Sequence, residues 1–274
     1  MVNRGSGRAI SLLAATLAAT LILAFLAGCS SGRHAASSQP GVAATVISPH
    51  LPFGNPSEAS GDPNNQLVRR TQFAASWNAK ERTANWVAWR LVAQDIGDTE
   101  RSQFYADPEI STPSPKDYTN SGYDRGHICP SKDRSDTNGN NQAVFTMLNI
   151  LPQSPDNNRG PWEKAERFER DLALAGREVY IIAGGVGSQS SFHGITAPDS
   201  TWKIIVALER GKSFPDGQQQ AQVFAMIMPN REGIKNDRWQ QYQTSVDEIE
   251  QKTGYRFFKN SPIIESIAKK AGRS

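Results

Sequence analysis

Three apolar runs in the second half of the chain limit what it can fold into. "REVYIIAGG" (177–185), "TWKIIVALE" (201–209) and "QVFAMIMPN" (222–230) are each bounded by turn-forming Gly, Pro or Asn and read as strands. Upstream, "QFAASWN" (72–78) and "NWVAWRLV" (85–92) have the same aromatic and β-branched character around the polar "AKERTA", a pattern that predicts a hairpin with a longish loop. Helical patterns are fewer. "PWEKAERFERDLALAG" (161–176) has Pro near its start, apolar residues at helical spacing and Gly at its end; "RWQQYQTSVDEIEQKTG" (238–254) is also closed by Gly. Strands and helices do not alternate regularly, so the expected fold class is α+β, a mostly antiparallel sheet with packed helices. With no internal repeat and no second linker, residues 49–274 read as one domain.

The text before that domain is of another kind. A basic head, "MVNRGSGR", precedes the apolar run "AISLLAATLAATLILAFLAG", the order of an export signal. The run ends in "LAGC", which resembles the bacterial lipobox, so residues 1–28 are expected to be a cleaved lipoprotein signal and Cys29 the acylated new N-terminus. The alternative is an ordinary cleaved signal that happens to contain Cys29. Several acyl chains make a stable anchor where one is marginal. Residues 29–48, small, polar and aperiodic, read as a flexible tether that holds the domain off a membrane surface. The expected location is therefore outside the cytoplasm, on the outer membrane or cell surface, or free in the periplasm or medium if the leader is only cleaved.

Charge excludes one class of function. The chain has 30 Lys and Arg against 27 Asp and Glu, and Arg4 and Arg8 fall in the expected leader. The remainder is close to neutral, too weakly basic to coat nucleic acid by charge alone. Any such contact needs a local patch.

The stretch "YDRGHICPSKDR" (123–134) offers one. Arg125 and His127, two apart, share a face of an extended strand. A histidine suits general-base work near neutrality, a guanidinium fork matches phosphate oxygens, and Gly126 allows close approach. Cutting a phosphodiester also needs the developing charge stabilised and the leaving alkoxide protonated or metal-bound. Alone, the cluster is equally a salt-bridged turn. Downstream, "VFTMLNIL" (144–151) reads as a strand, followed by a polar turn and the best helix. Asn158 and Glu166, eight apart, would lie about 80° apart on a continuous helix, and their oxygens suit a hard cation such as Mg²⁺. The competing readings are a helix cap for Asn158 and an i,i+4 pair with Arg170 for Glu166.

Taken together, "DRGH", "LNILPQ" and "NNRGPWEKAE" resemble the ordered motifs D-R-G-H, N-x-x-P-Q and N-x-G-x-W-x-x-x-E of the DNA/RNA non-specific endonuclease family. This is the ββα-metal group that includes secreted bacterial nucleases and mitochondrial endonuclease G. "HLPFGNP", "NWVAW", "PDSTWKIIVAL" and "SVDEIEQKTGYRFF" are also similar to family text, so the resemblance covers residues 49–258. It implies a ββα-metal motif with His127 as general base, Asn158 as direct ligand of a single Mg²⁺ (Mn²⁺ able to substitute) and Glu166 orienting a metal-bound water. It further implies Asn149 near the metal, Arg125 on a phosphate, and Arg101 of "ERSQFYADPEI" steadying the transition state. Asp124 is expected to orient its strand. The implied reaction is hydrolysis of DNA and RNA to 5′-phosphate products; a homodimer and a protein inhibitor are the protein partners that the resemblance admits.

Some residues depart from the family text. Cys129 stands where many relatives have alanine, and its oxidation next to His127 could weaken activity. Arg159 replaces a common glutamine and either binds a neighbouring phosphate or faces water. Lys132, Arg134, Arg167 and Arg170 either extend a basic rim or are solvated. His34, His50 and His193 are given no role. Two other functions compete: a weak or inactive nucleic-acid-binding lipoprotein, and a zinc hydrolase using His127 and Cys129, which lacks a Cys/His set at ligand spacing.

Overall fold

The computed structural model describes residues 48–271; Cys29, the expected leader and nearly all of the expected tether lie outside them. The strands are β1 (Gln66–Arg69), β2 (Ala74–Asn78), β3 (Thr83–Leu91), β4 (Asp124–His127), β5 (Ile150–Gln153), β6 (Val179–Val186), β7 (Ser190–Phe192), β8 (Ile195–Ala197), β9 (Ser200–Ala207), β10 (Gln222–Pro229) and β11 (Gln243–Thr244). The α-helices are α1 (Asn138–Ala143), the single turn α2 (Pro155–Asn157), α3 (Glu163–Leu174), α4 (Val246–Thr253) and α5 (Pro262–Ala271).

Seven strands form one sheet in the order β1-β2-β3-β6-β9-β10-β11, antiparallel at every pairing. Antiparallel sheets commonly solvate one face and then alternate in sequence. Here "YIIA" and "IIVA" run continuously apolar because both faces are covered. On one face Trp89, Ile181, Ile205 and Met228 pack with Leu148 and Leu151, from β5 and the turn before it, and with Trp162 and Ala165, from the start of α3 and the residue before it. On the other, Trp86, Tyr180, Ile204 and Val206 pack with Leu51, Phe53, Ile249, Phe257 and Ile264. The first described residues and helices α4 and α5 thus cover the face away from β4 and β5.

The 72–92 hairpin forms as expected, with Trp77 paired to Ala84 across a bulge. Elsewhere local order differs from the sequence pattern. The 238–254 segment is not one helix: a 3₁₀ turn at Trp239–Tyr242 and β11 come first, and α4 starts only after Ser245, whose side chain accepts from Glu248 N–H. Ser and Thr favour that capping position over a helix interior. Only the end of "VFTMLNIL" is strand, because Met147–Asn149 turn as 3₁₀ before β5. The pair β4–β5, running on into α3, forms the ββα unit that carries the motifs.

Candidate active site

Strand β4 lies antiparallel to β5, with Gly126 opposite Leu151 and His127 opposite Ile150. Glycine at 126 leaves room for the Gln153 side chain, since a Cβ there would come within 1.9 Å of Gln153 Oε1 and 2.7 Å of its Cγ. The close approach is made by a side chain of the neighbouring strand. Gly160, in the turn between α2 and α3, is held similarly: its Cβ would meet the Lys235 backbone at 2.7 Å.

His127 is 8% exposed and lies against two rings, Phe145 at 4.6 Å and Phe104 at 5.1 Å between centroids. Its Nε2 is buried with no hydrogen-bond partner among the described residues. Burial, with the Arg101 guanidinium adding to it, lowers its pKa to about 3, so the imidazole is neutral near pH 7. The aromatic wall also steadies both arginines: the Arg101 guanidinium lies 5.3 Å from the Phe145 centroid and that of Arg125 5.4 Å from Phe104. Arg125 Nε donates to Pro115 O at 2.9 Å.

Arg101, Arg125, His127, Asn158 and Glu166 line one cavity of about 280 Å³, with Lys132, Arg159 and Arg170 also contributing to its wall. The larger groove of about 660 Å³ between α4 and α5 contains none of the motif residues. The expected convergence of Asn158 and Glu166 is present, but not through a continuous helix. Residues 158–162 form a wide turn in which Gly160 is non-helical (φ −120°, ψ −115°), and α3 starts at Glu163. Ser154, not Asn158, caps this region, its side chain accepting from Asn157 N–H.

Asp124 does more than orient its strand. One oxygen, Oδ2, accepts from Asn158 Nδ2 and from Arg159 Nε, both at 2.8 Å, while Oδ1 accepts from Arg159 Nη2 at 2.6 Å. Arg159 therefore neither waits for a phosphate nor simply faces water. With its amide nitrogen engaged by Asp124, Asn158 has Oδ1 left as its acceptor, and the Glu166 carboxyl makes no hydrogen bond among the described residues. Burial is the main cause that raises Glu166 to about 7, with Lys203 and Arg170 opposing. One amide oxygen and one carboxylate, both uncommitted and on the wall of one cavity, form a hard-oxygen donor set that fits Mg²⁺ with water completing its shell.

Asn149 does not line the cavity. Its Oδ1 accepts from Cys129 N–H at 2.9 Å and its Nδ2 donates to Cys129 O and Val144 O at 2.8 and 2.9 Å. Its polar atoms are spent on backbone, so it acts on the site by fixing the chain just beyond His127. Cys129 is wholly buried in the core, and burial pushes its thiol pKa up, which removes it from cavity chemistry.

Of the expected basic rim, Lys132 is exposed on the cavity and Arg167 pairs with Glu163. Arg134 is not a rim residue, and Arg170 reaches the cavity wall with its charge already committed. Arg134 is buried and donates to Gln72 O and Arg90 O; Arg170 pairs with buried Asp133 at 3.0 Å, not with Glu166. The sequence reading missed the layer beneath. Lys203, fully buried on β9, pairs with Glu169 at 2.9 Å and lies 4.5 Å from the Trp162 ring centroid, while Trp89 Nε1 donates to Asp133 at 2.9 Å. One signal for it was legible: a lysine in the middle of "TWKIIVALE" must be paired if that strand is buried.

Comparison with known proteins agrees with this geometry. The profile of the DNA/RNA non-specific endonucleases matches residues 54–262. A nuclease of Nostoc sp. strain PCC 7120 is 43% identical over 233 residues, covering 80% of this chain and 84% of that protein. A nuclease of Serratia marcescens is 25% identical over 78% of this chain and 83% of its own length. Mouse mitochondrial nuclease EXOG is 26% identical over 69% of this chain and 56% of its own, so the chain spans little more than half of that relative. Among solved structures, an EndoG chain from an EndoG/EndoGI complex aligns with TM-score 0.66 at 21% identity, over 76% of this chain and 89% of that one.

Proposed function

The chain belongs to the DNA/RNA non-specific endonuclease family, and from that premise we propose that it is a Mg²⁺-dependent hydrolase of DNA and RNA in which His127 is the general base. The observation that supports this most directly is the single cavity joining a neutral histidine, two ring-backed arginines and two uncommitted oxygen donors.

Arg125 and Arg101 hold the phosphate and meet the extra charge of the phosphorane. The Arg101 charge bears on His127, and a bound phosphate offsets that part of the shift, so the imidazole becomes a better base when substrate is present. His127 takes the proton of the attacking water. Asn158 Oδ1 would hold Mg²⁺, and Glu166 would hold water beside it. When bound, the cation would supply Lewis-acid stabilisation of the developing negative charge. Asp124 holds the Asn158 amide and is itself held by Arg159. Plasmid nicking by the purified protein tests this: Mg²⁺ should give relaxed circles and EDTA none, with RNA degraded under the same conditions. Equal nicking in EDTA would remove the metal from the reading, and no nicking in Mg²⁺ would remove the nuclease.

The proposal extends to place and partners. The basic head, apolar run and "LAGC" support an exported lipoprotein acylated on Cys29. Radiolabelled palmitate should enter the wild-type chain and not Cys29→Ala. The EndoG/EndoGI complex, crystallised for its mechanism of inhibition, supports a protein inhibitor as a partner.

A further inference from the structure

Tyr123 directly precedes β4, two residues before Arg125 and four before His127. Its ring is stacked on Phe192 at the end of β7, with 5.6 Å between centroids and 15° between planes. Phe192 in turn meets the edge of buried Tyr118 at 5.3 Å and 84°. Tyr118 anchors the group in the core, whereas Tyr123 and Phe192 remain half-exposed.

The β7–β8 hairpin that presents Phe192 is fastened on several sides. Thr196 N–H donates to Glu81 O at 3.0 Å, Gln189 Nε2 to Asn230 O at 2.8 Å, and the Arg82 guanidinium to His193 O. Tyr123 Oη and Ser190 Oγ, 2.7 Å apart, bridge the hairpin to the start of β4. Arg125 acts electrostatically on the Tyr118 hydroxyl, while Arg82 pairs with Asp117 at 3.6 Å. Fixed, half-open aromatic rings, two residues along the chain from the Arg125 guanidinium, match the chemistry that holds unpaired bases: rings stack on the base while a cation meets the backbone.

We propose that Tyr123 and Phe192 form a stacking platform for one unpaired nucleobase flanking the bond being cut. This rests on the nuclease reading above. It makes the enzyme favour strands whose bases can turn out, single-stranded DNA or RNA and frayed or nicked duplex, over intact paired helix.

Cleavage ladders of a short single-stranded oligonucleotide carrying one abasic position provide the test, with supercoiled plasmid as the paired reference. Wild type should cut about tenfold more slowly at one fixed offset from the abasic position, the loss of a single stacked base. Tyr123→Leu and Phe192→Leu should cut the all-base oligonucleotide about tenfold more slowly and lose the abasic gap, with a clearly smaller loss on plasmid. Tyr123→Phe, which keeps the ring, should keep the gap. A wild-type ladder indifferent to the abasic position, with plasmid still nicked, overturns the platform and leaves the nuclease standing. Leucine variants that lose plasmid and oligonucleotide cleavage equally also overturn it, since the rings would then be scaffold. A wild type that nicks nothing sinks the nuclease reading itself.

Discussion

Two of the histidines are buried, and they serve different ends. His127 is the proposed base, and His127→Ala should lower kcat by about 10²–10⁴-fold, the usual worth of a positioned general base; nicking rates measured at saturating plasmid check this. His50 is structural. Its Nε2–H donates to Thr71 O at 2.9 Å and its Nδ1 accepts from Arg90 N–H at 3.2 Å, a pairing only the neutral ring can make. Burial is the largest cause that lowers its pKa to about 4, against the Thr71 bond and with Arg134 and Arg90 adding. Between about 4 and the unfolded value near 6.5 the unfolded chain binds a proton that the folded chain refuses. The stability that His50 contributes is therefore full above 6.5 and falls by about 3 kcal/mol as the pH drops to 4. The urea-midpoint difference between wild type and His50→Gln should shrink over this range; comparing the two isolates His50 from His127, which acts in the same sense, and from Glu166, which acts in the opposite one. Nothing in "SPHLPF" reveals this role, because the two partners of His50 come from Thr71 and Arg90, far along the chain.

At the scale of elements, the ββα unit was legible and its foundation was not. The ordered motifs around His127, Asn158 and Glu166 lie in one cavity, as the resemblance implied. The ideal-helix argument gave the right neighbours for the wrong reason, since Gly160 breaks the helix between them. Beneath α3, the Lys203–Glu169 pair and the Arg170–Asp133 pair join the helix to β9 and to the turn after β4. Such pairing depends on which residues the fold stacks, and periodicity along the chain does not carry that information. Lys203→Met should destabilise the protein by about 3–5 kcal/mol, because Glu169 is left buried without its partner. Lys203→Met with Glu169→Leu should recover most of that loss. Denaturant unfolding of both variants checks this, and a double variant no better than the single would show that the pair is individually stabilising.

Over the whole molecule, the sheet separates the catalytic face from the face covered by α4 and α5. Ile264, fully buried in α5, belongs to the second core and to no part of the cavity. Ile264→Ala should cost about 2–5 kcal/mol of stability and leave kcat/KM of the folded enzyme unchanged; a shift in KM would mean the two faces communicate. The broad class, α+β on an antiparallel sheet, could be read from the strand texts. Strand order could not, because β3 pairs with β6 across a long insertion. That insertion has a consequence for assembly. Residues 92–178, which contain β4, β5 and α3, are the loop that the β3–β6 pairing closes. Closing so long a loop is slow relative to local structure. The cutting centre is completed by the same event that joins the two halves of the sheet, so an unfolded chain carries every motif residue and no nuclease.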